Sequence, residues 1–393
     1  MDLLLRAQAL FPVLKALKDD LHRHPELSGR EVRTTALLKQ KLSALPVELV
    51  DLGVPTGTAA LLRGGRPGPL VALRADIDAI VQDTPERGAV VSEHPGVMHA
   101  CGHDFHTAGL YGAAVLLSEL QDTLPGGVIF LFQPSEETTG GARLLLDHGL
   151  WARFPEKPRW IFGVHNRPQL PAGTIAVTPG PLMAEKSNFT ITLHGRTGHG
   201  GSPHRCVDVI VPAAAIVQGI QSVVSRNTDP TDCLVCAVCS IHAGTPENFA
   251  PDLLTMTGSI RVFRHETRLR AEQRVEALAR DIGAAYGCTV DFETDEVAPL
   301  VCNGPEMTAL ARRAAEALGG PEHVVVAAPE MSSEDFAEYG KEVPSFFYWL
   351  GSGFPDRENA GWHSDQFRTN DSALPLDAAL LARSALTALG YEG

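Results

Sequence analysis

The sequence predicts an α/β fold: a mixed, largely parallel sheet with helices on both faces, interrupted by a smaller inserted α+β domain. Three observations predict it. Short apolar runs alternate with helical segments before Pro181. Each run releases polar side chains at its C-terminal end. After Pro181 the pattern changes to alternating strands and amphipathic helices, and the first style resumes after Pro299.

In chain order, residues 2–20 read as an amphipathic helix. A second helix follows Ser28, with Glu31 three residues on as a capping-box signature. Pro69–Leu73 is an apolar run that ends in Arg74-Ala75-Asp76. Val128–Phe132 ends in Gln133-Pro134-Ser135-Glu136-Glu137, and Trp160–Val164 ends in His165-Asn166. With helical segments at Phe105–Leu120 and Ala142–His148, these runs suggest a buried parallel sheet. In such sheets the ligand crevice lies beyond the C-terminal strand ends. Next come a strand at Asn188–His194, a helix at Asp208–Val224, strands at Cys233–His242 and Leu253–Phe263, a charged helix at Glu266–Tyr286 and a strand near Thr289–Glu293. That βαββαβ order resembles a ferredoxin-like module. A helix at Pro305–Leu318 and an apolar run at Ser345–Leu350 complete the pattern. The expected division is a catalytic domain of residues 1–182 and 298–393, with residues 183–297 inserted.

The chain has 393 residues, 44% of them hydrophobic and 20% charged, ample for a core. A net charge of -14 argues against nucleic-acid binding. It also means that an anionic substrate needs a local positive group. No apolar stretch is long enough to span a membrane. Arg6, Lys15 and Lys18 interrupt the N-terminal apolar patches before a secretory segment forms. Seven cysteines, an odd number, fit free thiols in a reducing cytoplasm better than a disulfide framework.

Chemistry concentrates at His99-Ala100-Cys101-Gly102-His103-Asp104-Phe105-His106. Thiolate and neutral imidazole ligate borderline metals such as Zn, Mn, Co or Ni. By itself the cluster also fits a polar helix cap with an incidental thiol. Glu136-Glu137 is the second cluster. Adjacent residues at a strand end point in different directions, so one carboxylate can bind metal while the other faces water. A bare Glu pair is more often a solvated acidic first turn of a helix. His165 alone could be a buried core residue, and His363 alone an exposed loop residue. Together they supply a thiol, two carboxylates and three imidazoles near neighbouring strand ends, a donor set that suits two metals.

Nearly the whole chain resembles the aminoacylase/carboxypeptidase superfamily of dinuclear metallopeptidases, in its amidohydrolase branch of hippurate hydrolases, N-acetyl-diaminopimelate deacetylases and auxin-conjugate hydrolases. The matching stretches are Leu21–Ser28, Leu73–Ala79, His99–Ala108, Gln133–Glu137, Ser333–Phe336, and His363 with Phe367 and Asn370-Asp371. The resemblance implies a zinc-peptidase-like catalytic domain with a lid/dimerisation domain. It implies two divalent metal ions per subunit, on Cys101, His103, Glu137, His165 and His363, with Glu136 as general base. Asp76 looks like the carboxylate that orients a ligand, and Arg74 stands where other branches have a metal-binding His. His199, in Gly198–His204, is implied as the oxyanion partner reaching across a dimer. Asn248 and Arg261 match positions that hold the substrate carboxylate, and an Arg fork suits that group. Phe249-Ala250 departs from the usual Val-Ile there. A homodimer or dimer-based tetramer follows from the same resemblance.

Cys233, Cys236 and Cys239 form a C-x-x-C-x-x-C run. On a strand Cys233 and Cys239 share one face and Cys236 takes the other, so core-filling cysteines are expected rather than an iron–sulfur or zinc site. The functional expectation is hydrolysis of N-acyl amino acids to a carboxylic acid and a free amino acid. Its alternatives are a carboxypeptidase or dipeptidase of the same superfamily, or a non-catalytic metal- or peptide-binding homologue.

Overall fold

The structure, a computed structural model, describes residues 2–83, 90–138, 140–244 and 247–391. They form two compact units. The larger joins Met1–Leu182, Cys302–Ala328 and Asp335–Gly393; the smaller joins Met183–Val301 and Pro329–Glu334.

The larger unit is built on an eight-stranded sheet. Its central strands lie in the order Pro125–Gln133, Arg66–Asp76, Trp160–Pro171 and Ser345–Gly353, all mutually parallel. Thr58–Arg63 and Glu48–Val50 extend one edge in antiparallel fashion. The sheet is thus mixed and largely parallel, as expected. Both faces of the central strands are buried. Val71, Leu73, Phe130, Phe132, Phe162 and Val164 join one cluster with the helices Leu3–Arg23, His103–Ser118 and Leu374–Ala388. Their alternates Ala72, Ile129, Leu131 and Ile161 are equally buried on the other side. Two-sided burial is why these strands read as continuous apolar runs. The register sets Asp76 beside Gln133 and His165 beside Trp349. The polar residues after each run therefore emerge along one edge.

The smaller unit is an antiparallel sheet in the order Leu234–Ala243, Leu253–Val262, Glu185–His194, Thr289–Ala298. The helices Ile210–Asn227 and His265–Ala285 bury Ile216, Ile220, Val275 and Ala279 against Phe189, Ile191 and Leu193. The expected strand–helix–strand–strand–helix–strand order is present.

Three expectations need correction. Residues 298–301 and 329–334 group with the smaller unit rather than the larger. The reason is local pairing: Ala298 continues the sheet opposite Lys186, and Ala184 N–H donates to the Ser332 carbonyl at 2.8 Å. Ser28 does not cap the second helix, which spans Val32–Leu42. Its hydroxyl donates to Asp78 Oδ2 at 2.7 Å instead, and Glu31 accepts from Ser135 N–H at 2.8 Å. Of the cysteine run only Cys236 fills core; Cys233 and Cys239 are exposed. Cys233 precedes the strand Leu234–Ala243, and Cys239 falls at a register shift between Val238 and Ser240, so simple alternation does not relate the three. Among the described residues no helix is long and apolar enough to cross a membrane.

Candidate metal centre

Six side chains meet at the C-terminal edge of the larger unit's sheet. Ligand atoms of Cys101, His103 and His165 lie within 4.8 Å of one another, and so do those of Cys101, Glu137 and His363. The two triads share the Cys101 thiol. A further group joins His103, Glu136 and Glu137 within the same limit.

Each donor is aimed by a specific local device. Gly102 takes φ +91°, and a Cβ there would come within 2.3 Å of Asn166 Nδ2. Only glycine allows the turn that sets Cys101 and His103 on either side of it. Asn166 Nδ2 clamps this turn by donating to the Cys101 carbonyl at 2.6 Å. His165 Nδ1 contacts the Asn166 carbonyl at 2.8 Å. As donor there, it leaves its Nε2 lone pair facing Cys101 Sγ at 3.4 Å. His103 Nδ1 contacts Asp78 Oδ1 at 3.2 Å, which turns Nε2 toward Glu137 Oε1 at 3.7 Å and Glu136 Oε2 at 4.0 Å. His363 N–H donates to the Ala100 carbonyl at 2.9 Å, and its Nε2 reaches Glu137 Oε2 at 3.3 Å. Its side chain is 55% exposed, so the cluster opens to solvent on that side.

Backbone strain marks the same place. Among the described residues the two non-glycine positions with positive φ are Ser135, at 60°, and His363, at 61°. One immediately precedes the Glu136-Glu137 pair and the other carries an imidazole of the cluster. Such conformations cost about 1–3 kcal/mol and persist where surrounding contacts enforce them.

The electrostatics are those of a site short of positive charge. Burial pushes the Asp76 carboxyl up, but His103, His106 and Arg74 outweigh it and hold it well below the usual range. Burial also opposes ionisation of Asp78, and the hydrogen bond and charge of His103 overcome it. His103 responds in kind. Burial favours its neutral form, yet Asp76, Asp78 and Glu137 raise its pKa to about 10. His165 is driven well below the usual imidazole range by burial and by His106, so it stays neutral, the form that ligates metal.

A divalent metal fits these residues. His103 Nε2 and Glu137 Oε1 are buried and without hydrogen-bond partners, although they face one another. Unsatisfied buried polar atoms are costly, and a cation between them satisfies both. Thiol, imidazole and carboxylate donors are the set borderline metals take.

Beneath the cluster the sequence reading needs revision. Asp76 is not the hydrogen-bonding partner of a predicted ligand. Its Oδ1 meets His106 Nδ1 at 2.7 Å, and His106 Nε2 accepts from Asn166 N–H at 2.9 Å. The carboxylate that orients His103 is Asp78, which also accepts from the Glu137 N–H at 2.9 Å. Asp78, Asn166, His106 and Glu31 were missed as positioning residues. Asp76 and Asp78 are two apart in an extended segment and so share a side, which was a usable signal. Arg74, fully buried, donates to Asp76 at 2.8 Å, to Asp335 at 2.9 Å and to Gln133 at 2.8 Å.

The structure places His199, Asn248 and Arg261 in the smaller unit. His199 is exposed on the short strand Gly198–His199, paired with Phe249–Ala250. Gly200 N–H donates to the Asn248 carbonyl at 2.8 Å, so these two positions are neighbours. Arg261 lies on the four-stranded sheet, half-buried, with Nη1 on the Met331 carbonyl at 2.8 Å.

A fold with a parallel sheet that presents such a donor set at its C-terminal edge defines a class of metal-dependent hydrolases. Residues 72–387 match peptidase family M20/M25/M40, and the chain belongs to that family. It is a hydrolase. It is 38% identical over 374 residues to N-acetylcysteine deacetylase of Bacillus subtilis, covering 95% of this chain and 96% of the relative. It is 31% identical over 368 residues to N-acetyldiaminopimelate deacetylase of Priestia megaterium, covering 93% and 96%. Its fold superposes on a Bacillus subtilis dinuclear metal-binding peptidase of the M20 family with a TM-score of 0.85 and 35% identity, over 98% and 99% of the two chains.

Two predictions follow from this geometry. In metal-free protein His103, with its pKa raised to about 10, carries a proton at neutral pH. Its stabilising contribution is complete below the ordinary imidazole pKa of about 6.5 and is lost as pH rises through the folded value. A divalent cation must displace that proton. Calorimetric titration of Mn or Zn at pH 7–8, in buffers of different ionisation enthalpy, should therefore show release of at least two protons per subunit, one from His103 and one from the Cys101 thiol. Release of one proton or none would contradict a protonated His103. Separately, Arg74→Met removes the guanidinium that joins Asp76 to Asp335, leaving Asp76 to His103 and His106 alone. We expect a loss of about 3–5 kcal/mol in urea unfolding of metal-free protein; a loss under about 1 kcal/mol would show that the buried pair is not needed.

Proposed function

We propose that the protein hydrolyses the amide bond of N-acyl amino acids, giving a carboxylic acid and a free amino acid, with two divalent metals held by Cys101, His103, Glu137, His165 and His363. The observation that carries this reading is the pair of triads sharing the Cys101 thiol, with Glu136 buried beside them. When bound, such cations polarise the amide carbonyl and acidify water.

The protein's own residues do the rest. Glu136 stands 4.0 Å from His103 Nε2, and its Oε1 accepts from Asp335 N–H at 3.4 Å. That contact holds the carboxylate beside the cluster, where it takes the proton from the attacking water and returns it to the leaving nitrogen. Glu137, fixed by Asp78 through its backbone N–H, acts as ligand. His199 is assigned to the developing oxyanion, and Asn248 and Arg261 to the substrate carboxylate. These three assignments rest on motif resemblance. So does the assembly we propose, a homodimer or dimer-based tetramer. The chain's net charge of -14 gives the Arg261 assignment a physical reason, because an anionic substrate needs local positive charge.

A second reading is supported by 33% identity over 377 residues to thermostable carboxypeptidase 2 of Saccharolobus solfataricus. Both readings use the same bond chemistry and differ in the acyl side of the substrate.

Glu136→Gln should keep its full metal content and lose on the order of 10²–10⁴-fold in kcat; near-normal turnover would remove it as the base. Cys101→Ala should lower the metal-to-protein ratio measured by elemental analysis. With Mn-, Zn-, Co- or Ni-loaded enzyme, N-acetyl and N-benzoyl amino acids should be cut with higher kcat/KM than dipeptides. The reverse ranking would favour the peptidase reading.

A further inference from the structure

Behind the turn that carries Cys101 and His103 lies a second cavity, of about 490 Å³. It is lined by the first helix, by the 354–360 loop, by residues 366–371, and by His99 and Asp104 from the turn itself. None of the predicted metal ligands lines it.

The cavity has a built polar floor. His99 is 2% exposed, and both its ring nitrogens are buried without a hydrogen-bond partner. An imidazole always offers hydrogen bonds at both nitrogens, and leaving them unmade in a buried setting is expensive. The neighbouring groups do not compete for it. His22 Nδ1 is engaged by Asp104 at 2.7 Å, and Lys18 by Asp371 at 3.0 Å.

The charges of the lining decide what fits. Lys15, Lys18, Arg357 and Arg368 contribute the cations, and Asp19, Asp104, Glu358 and Asp371 the anions. A simple anion entering this space meets as many carboxylates as cations. A simple cation meets the converse. A small molecule carrying both charges finds a complement for each, and the unpartnered His99 imidazole borders the same space. We propose that this cavity is a second, non-catalytic binding site for a free zwitterionic α-amino acid.

The choice of an amino acid as occupant rests on the proposed function, which releases one. The position gives occupancy a route to the metal centre. His99 is two residues before Cys101, and Asp104 directly follows His103, so a ligand held there shares a turn with two predicted metal ligands.

The test is equilibrium dialysis of metal-loaded enzyme with radiolabelled glycine, L-leucine and L-glutamate in turn. Acetate and n-butylamine serve as the anion-only and cation-only competitors. At least one of the amino acids should bind at two sites per subunit. His99→Leu should reduce this to one, and Arg357→Gln, a change at an exposed side chain, should weaken the second site at least tenfold. Neither acetate nor n-butylamine should displace the second equivalent. A single site in the unmodified enzyme, two sites unchanged in both variants, or displacement by acetate alone would each overturn the proposal. Failure of the proposed function reads out separately, as absence of turnover of N-acyl amino acids. A His99-dependent site found in such an inactive protein would leave the cavity assignment standing.

Discussion

The centre depends on one buried carboxylate. Asp78 receives His103 on Oδ1, and on Oδ2 it receives the Ser28 hydroxyl and the Glu137 backbone N–H. Three segments remote in sequence are thereby fixed to a single group. The carboxylate stays ionised although burial opposes it, because His103 is close and charged. Remove that charge and the positions of both an imidazole and a carboxylate of the cluster lose their common reference. Arg74 does the equivalent work one layer deeper, joining Asp76, Gln133 and Asp335. The sheet supplies the edge, and these ionic contacts convert an edge into a defined set of vectors.

Much of this was legible in the sequence, for a physical reason. Strands buried on both faces cannot alternate, so Val128–Phe132 and Trp160–Val164 announced themselves as apolar runs, and the abrupt polarity at their ends located the site. The Cys-Gly-His spacing was readable because a glycine at φ +91° has few substitutes. Residue-level support was less legible. Ser28 and Glu31 satisfy a helix-capping pattern, yet both side chains are recruited across space, to Asp78 and to Ser135. Local pattern and tertiary demand compete for the same side chain, and only the folded chain shows which prevails. The sequence does not separate the roles of Asp76 and Asp78, for the same cause. Both sit on one side of an extended segment, and the identity of their partners is a three-dimensional fact.

The unit boundary teaches a related lesson. Composition changes near Pro299, but hydrogen bonding decides where one body ends. The 329–334 segment belongs with the smaller unit through backbone contacts of Ser332 and Met331, and nothing in its composition signals that. The cysteine run shows the limit of face arguments. Alternation presumes an unbroken strand, whereas Cys233 lies before it and Cys239 at a register shift, and both are exposed while Cys236 is buried.

The discontinuity of the larger unit bears on how the protein is made. Cys101, His103, Glu137 and His165 belong to its first segment, whereas His363 belongs to its last. About 200 residues separate the final two donors, which at ~5–20 residues per second is roughly 10–40 s of translation. During that interval the chain lacks the strand Ser345–Gly353, which pairs along Trp160–Pro171 beside His165, and the helix Leu374–Ala388, which shares a core with His103–Ser118. Only when the C-terminal segment docks does the fifth donor arrive. Loss of the last segment would therefore remove the fifth proposed donor together with the strand and helix contacts that position the other four.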